Sequence, residues 1–94
     1  MILLITTSQD PNLGKKVVER KVAACASRDE VISVYWWKGE LVEEKEYRFF
    51  IKTTEELKDK AIEVLKSLHD YTVPEIIVVK AEVNKEYEKW MREI

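Results

Sequence analysis

Cysteine, histidine, glycine and proline are all scarce in this chain, and each scarcity closes off a class of explanation. Cys25 is the single cysteine, so no internal disulfide can form and no cysteine-only metal site can be built within one chain. His69 is the single histidine, so a metal site would need carboxylates or neighbouring copies to complete its coordination. Only two glycines occur, with no glycine-rich phosphate loop, no G-x-S-x-G and no H-E-x-x-H. Basic excess is missing as well: 16 Lys plus Arg against 18 Asp plus Glu leave a formal net charge of -2, whereas a dedicated nucleic-acid binder carries a positive surplus. No apolar run approaches the roughly 20 residues that cross a bilayer, and residues 1–5 lack the positive flank and the length of a secretory segment. The expectation is a soluble, cytosolic protein with no catalytic constellation and no membrane partner.

What is present fits one domain covering residues 1–94, small enough to gain from association with other chains. Charged residues make up 36%, mostly Glu and Lys, a composition that leans towards a thermophilic source. Residues 2–7 form an almost wholly apolar, β-branched run that predicts a buried central strand. Asp10 as N-cap and Pro11 at the first helical position open a helix predicted to reach about Ala26, with Leu13, Val17, Val18, Val22 and Cys25 on its apolar face. A polar connection at residues 27–30 follows. Thr53 and Glu56 make a capping box for a second helix, striped by Leu57, Ala61, Val64, Leu65 and Leu68 and ending near His69. After the turn around Pro74, residues 75–83 read as a strand and residues 85–94 as a last short helix capped by Asn84.

Between the helices, residues 31–53 read as one long hairpin turning at Lys38-Gly39-Glu40. On the return arm Leu41, Tyr47, Phe49 and Ile51 share one face, while Val42, Glu44, Glu46, Arg48, Phe50 and Lys52 share the other. Each arm exceeds the usual strand of about 5 or 6 residues. Part of its apolar surface therefore projects beyond what the chain can cover, which points to a partner, including another copy. The β-α-β-β-α-β order is that of an α+β, ferredoxin-like sandwich with an antiparallel sheet, extended here by a C-terminal helix.

Several residues admit two readings. Cys25 suits a small buried residue at a helix–sheet contact, or a soft-metal ligand for an ion such as copper. His69 suits a helix-end or turn role, or ligation. Tyr35, Trp36 and Trp37 suit packing or an interface, or a base-stacking platform. Glu43, Glu44 and Glu46 read as solvated charge, with Glu43 on the opposite face from the other two.

Taken in order, Thr6-Thr7, Ala23-Ala24-Cys25, Tyr35-Trp36-Trp37-Lys38-Gly39, Glu44 with Glu46, Lys52-Thr53, His69 with Tyr71, Val73-Pro74-Glu75-Ile76, and Tyr87 with Trp90 resemble the CutA divalent-cation-tolerance family over essentially the whole chain. The resemblance implies a cytosolic homotrimer related in architecture to the PII signalling trimers, tolerance to Cu(II) or another divalent cation, no organic cofactor, and a metal-binding or sensing role. It matches Cys25 and His69 to metal-linked positions. It matches Tyr35, Trp36, Trp37, Lys52, Tyr71 and Trp90 to a cleft between subunits. The chain departs from the family where His69-Asp70-Tyr71-Thr72 replaces a typical His-Pro-Tyr-Glu, and its first helix is about one turn, roughly 4 residues, shorter. A nucleic-acid-binding module and a purely structural trimer are the alternatives.

Overall fold

The computed structural model describes residues 1–94. The elements run β1 (Ile2–Ser8), α1 (Leu13–Glu19), β2 (Cys25–Trp37), β3 (Glu40–Thr53), α2 (Lys58–Leu68), β4 (Ile77–Lys80) and α3 (Lys85–Met91). The strands form one sheet in the order β2-β3-β1-β4, every neighbouring pair antiparallel. Each helical crossover therefore joins two parallel strands with a third inserted between them, the split arrangement expected from the element order. No helix is long and apolar enough to cross a membrane.

β1 and β3 are the two inner strands, and β1 pairs with β3 from Ile2–Thr53 to Ser8–Tyr47 and with β4 from Ile2–Lys80 to Ile5–Ile77. Alternate residues Ile2, Leu4, Thr6 and Ser8 are buried, and with Phe49 and Ile51 they form the face that α1 and α2 cover through Leu13, Val17, Ala61 and Leu65. The opposite face carries Leu3, Ile5 and Phe50, only half-buried, beside exposed Ile77 and Val79.

Several boundaries differ from expectation; α1 begins at Leu13 with Asn12 and not Asp10 at its N-cap, and α3 ends at Met91. α1 stops at Glu19 instead of running to about Ala26, because Lys21 adopts the left-handed region at φ +59° and the chain turns away. Cys25 therefore lies on no helix face; it opens β2. Val22 and Ala23 are buried all the same, since that segment is tied to β3 by the Thr53 hydroxyl donating to the Val22 carbonyl at 2.7 Å and by Ala24 N–H to the Lys52 carbonyl. With Thr53 committed there, Thr54 takes over at the start of the second helical segment, its hydroxyl accepting Leu57 N–H at 3.3 Å. Residues 27–30, expected as a connection, are part of β2, whose edge position tolerates Asp29 and Glu30 when each meets a cross-strand cation, Arg48 at 2.6 Å and Lys45 at 3.1 Å. β4, expected over residues 75–83, is only four residues long and pairs with Ile2–Ile5, because residues 69–75 cross the end of β1 as a strap tied to Thr6 and Ser8 by side chains.

The hairpin turn is as read. Lys38 and Gly39 have φ of +51° and +80°, and Trp37 pairs directly with Glu40, the geometry of a two-residue turn whose twist suits antiparallel strands. Because β1 ends at Ser8, residues 40–46 of β3 pair with β2 alone, and this free arm stretches the molecule to 45 × 23 × 19 Å.

Helix α1 lies so close to the sheet that a Cβ on Gly14 would come within 2.9 Å of both Ala26 Cβ and Phe49 Cδ1. Gly14→Ala should therefore lower stability: overpacking costs about 1–3 kcal/mol, against a helix-propensity gain of at most about 1 kcal/mol. Urea unfolding checks this, and a variant at least as stable as the wild type would mean that the helix lifts freely.

Candidate functional site

Where the arm leaves the sheet, the strap of residues 69–75 that follows α2 crosses the end of β1 and closes one side of a cleft of about 750 Å³. Its other walls come from the arm: Tyr35, Trp36 and Trp37 of β2, with Glu44 and Glu46 of β3. The lining includes four carboxylates, Glu44, Glu46, Asp70 and Glu75, and neither lysine nor arginine. A concave surface of one sign attracts cations and repels phosphate backbones, which weighs against the base-stacking reading of the aromatics.

The strap is held by polar side chains. His69 has a fully buried side chain; its Nδ1 accepts Tyr71 N–H at 3.1 Å, so Nε2 carries the proton and donates it to Thr6 Oγ1 at 3.1 Å. The Thr6 hydroxyl in turn donates to the Glu75 carbonyl at 2.6 Å. Asp70 accepts from the Ser8 hydroxyl at 2.6 Å and from Gln9 N–H at 3.1 Å. Tyr71 donates its hydroxyl to Glu46 at 2.5 Å, and Tyr35 donates to Glu44. Burial, followed by the bond to Glu46, pushes the Tyr71 hydroxyl well above the ordinary tyrosine range.

Cys25 is elsewhere. Half-buried at the start of β2, it borders a second hollow of about 430 Å³ with Ala24, Phe49, Arg28 and Trp90. The Lys52 ammonium reaches its sulfur at 3.7 Å, and burial together with Cys25 holds the Tyr87 hydroxyl above its ordinary range. Within one chain the expected site residues thus fall into two groups: His69 and Tyr71 at the base of the arm with Tyr35, Trp36 and Trp37 along it towards the tip, and Cys25, Lys52 and Trp90 at the far end of β2. No three His, Cys, Asp or Glu side chains are grouped to hold a metal ion, and both nitrogens of His69 already have partners. The donors of a single chain do not fit a metal centre.

Sequence reasoning missed Glu46, Gln9 and Asp70 as parts of this site. Glu46 was expected in solvent, yet it is only 4% exposed because Tyr71 folds over it. Period two did put Glu44 and Glu46 on one face of β3; nothing local announced the strap that covers the second. The Tyr35 hydroxyl is pushed up to about 12 from an ordinary 10.0, first by its bond to Glu44. Glu44→Gln should bring the Tyr35 ionisation back down towards the ordinary value, as a spectrophotometric tyrosinate titration would show; an unchanged curve would separate the pair.

The family described as CutA1 divalent ion tolerance protein matches the chain over residues 1–94. A divalent-cation tolerance protein CutA of Thermotoga maritima is 41% identical over 98 aligned positions, covering 99% of this chain and 97% of that protein. The crystal structure of CutA1 from Pyrococcus horikoshii superposes with a TM-score of 0.90 at 39% identity, covering 99% of this chain and 96% of that one. The PII-like protein CutA from Nostoc sp. PCC 7120 superposes with a TM-score of 0.91 at 25% identity, covering 97% and 93%. Fold, length and sequence agree along the whole chain, which belongs to the CutA1 divalent ion tolerance family.

Proposed function

We propose that this chain acts as a cytosolic, non-enzymatic homotrimer in divalent-cation tolerance, with the cation held where copies meet. The observation that carries the assembly is the arm: Ile32, Val34, Trp36 and Leu41 are 65%, 59%, 72% and 61% exposed, on a ribbon that the chain's own helices do not reach. Apolar area of this kind gains about 25 cal/mol for each Å² removed from water. The half-covered sheet face with Ile77 and Val79 adds to it. Other copies of the arm and of that face are the natural cover, as in a small domain stabilised by self-association.

The acidic cleft supports the cation part, and the missing donor set explains why copies are needed. Cys25 and His69 lie apart in one chain and both His69 nitrogens are engaged, so a site that used them would draw them from different subunits and would have to release a His69 nitrogen from Thr6 or Tyr71, with cleft carboxylates completing the coordination of Cu(II) or another divalent ion. Copper-linked conformational change in the strap would make the trimer a sensor of the PII-like kind. The single unpaired cysteine suits a reducing compartment.

Light scattering should find a particle of three times 11.1 kDa. A monomer at micromolar concentration would overturn the assembly. Titration of Cu(II) should show at least about a tenfold loss of affinity in a Cys25→Ala/His69→Ala double variant, the range for removing ligand-shell partners. Identical isotherms would take both residues out of the site.

A further inference from the structure

Past the last β1–β3 pair, Ser8 with Tyr47, the arm has only its own two strands for support. An isolated two-stranded ribbon is marginally stable and strongly twisted, so its direction has to be set at the base. The first two residues beyond that pair, Glu46 and Lys45, are the ones that side chains from elsewhere take hold of. The Gln9 amide, one residue past β1, donates to the Lys45 carbonyl at 2.9 Å and to the Tyr71 hydroxyl oxygen at 3.3 Å. The Tyr71 hydroxyl passes its own proton to Glu46 at 2.5 Å.

Both holders are anchored to the core and not to the arm. Asp70 fixes Gln9 through its backbone N–H, while buried His69 fixes Tyr71 through its backbone N–H and is itself tied to Thr6 in the middle of the sheet. Glu46 differs from its neighbours on the arm accordingly: it is buried, whereas Glu40 and Glu43 are exposed. A carboxylate in that position depends on its hydrogen-bond donor, because burial without one is costly. Loss of the Tyr71 hydroxyl would drive Glu46 towards water and release the ribbon.

We propose that Gln9, Tyr71 and Glu46 form a clamp that sets the angle at which the β2–β3 arm leaves the sheet, and through that angle sets how tightly copies of the chain hold one another. The clamp residues are positioning residues; none needs to touch the neighbouring copy. The proposal rests on the assembly reading above and deepens it, since a ribbon that samples many directions pays an ordering cost on association that a pre-set one avoids.

The test measures arm direction and assembly separately. Spin labels are placed on Glu40→Cys at the tip and Lys60→Cys on α2, in a Cys25→Ser background, and labelled chains are mixed with excess unlabelled chain so that only distances within a subunit are read. Tyr71→Phe removes one oxygen. It should broaden the tip-to-core distance distribution and speed subunit exchange about tenfold, as for loss of one hydrogen bond to a charged group. Exposed Gln9→Ala should act in the same direction and serves where Tyr71→Phe does not fold. An unchanged distribution in the folded variants overturns the clamp while leaving the trimer untouched. A broadened distribution with unchanged exchange overturns its link to assembly. A wild type that is monomeric overturns the assembly reading, and with it the link, while the distances alone still report on the clamp.

Discussion

The structure depends on a mismatch of strand lengths. β1 offers seven residues for pairing, whereas β3 has fourteen, so half of β3 can hydrogen-bond on its inner edge to β1 and the other half cannot. Backbone groups left unpaired by β1 must face water or another chain. β2 has thirteen residues and follows β3 to the tip, so the unmatched half survives as a ribbon instead of fraying. Elongation, exposed aromatics and the cleft at the base of the arm all follow from that one mismatch.

A second constraint acts at the same point. The segment after α2 must cross the end of β1 to reach the other edge of the sheet, and it arrives with His69, Asp70 and Tyr71 in succession. Each meets its own partner: Thr6 and Ser8 of β1 for the first two, and Glu46 of β3 for the third. The polar residues at the end of β1 are thus accounted for, since buried Thr6 and Ser8 would be costly on an apolar strand without acceptors and donors above them. Asp70 takes two hydrogen bonds at this crossing, from the Ser8 hydroxyl and from Gln9 N–H, which ties the strap to β1 and the loop after it.

Cys25 shows how a periodic pattern can mislead. Val18, Val22 and Cys25 recur at helical spacing after Leu13, and a helix to Ala26 followed from them, yet Lys21 turns the chain with a positive φ, Val22 and Ala23 are buried in the bend that follows, and Cys25 is half-buried at the start of β2. Periodicity reports which residues are buried more dependably than which backbone buries them, because a non-helical segment tied to a strand end also hides apolar side chains. The Thr53 capping box failed for a related reason: its hydroxyl found a carbonyl brought close by the fold, and Thr54 was left to close the turn ahead of α2.

The sequence by itself determined the order of elements, the division of the hairpin's return strand into two faces, the position of the tight turn at Lys38-Gly39 and the surplus of apolar surface on the arm. These are properties of a residue's own backbone preference and of spacings of two or four along the chain, so they can be read before anything folds. Only the tertiary structure decided that His69 spends both nitrogens on the core, that Cys25 and His69 lie apart in one chain, and that Glu46 is buried beneath Tyr71. Those outcomes join residues 63 and 25 positions apart in sequence. They follow from where β1 ends and how the strap crosses it, and no local pattern encodes the meeting point of two segments whose lengths differ.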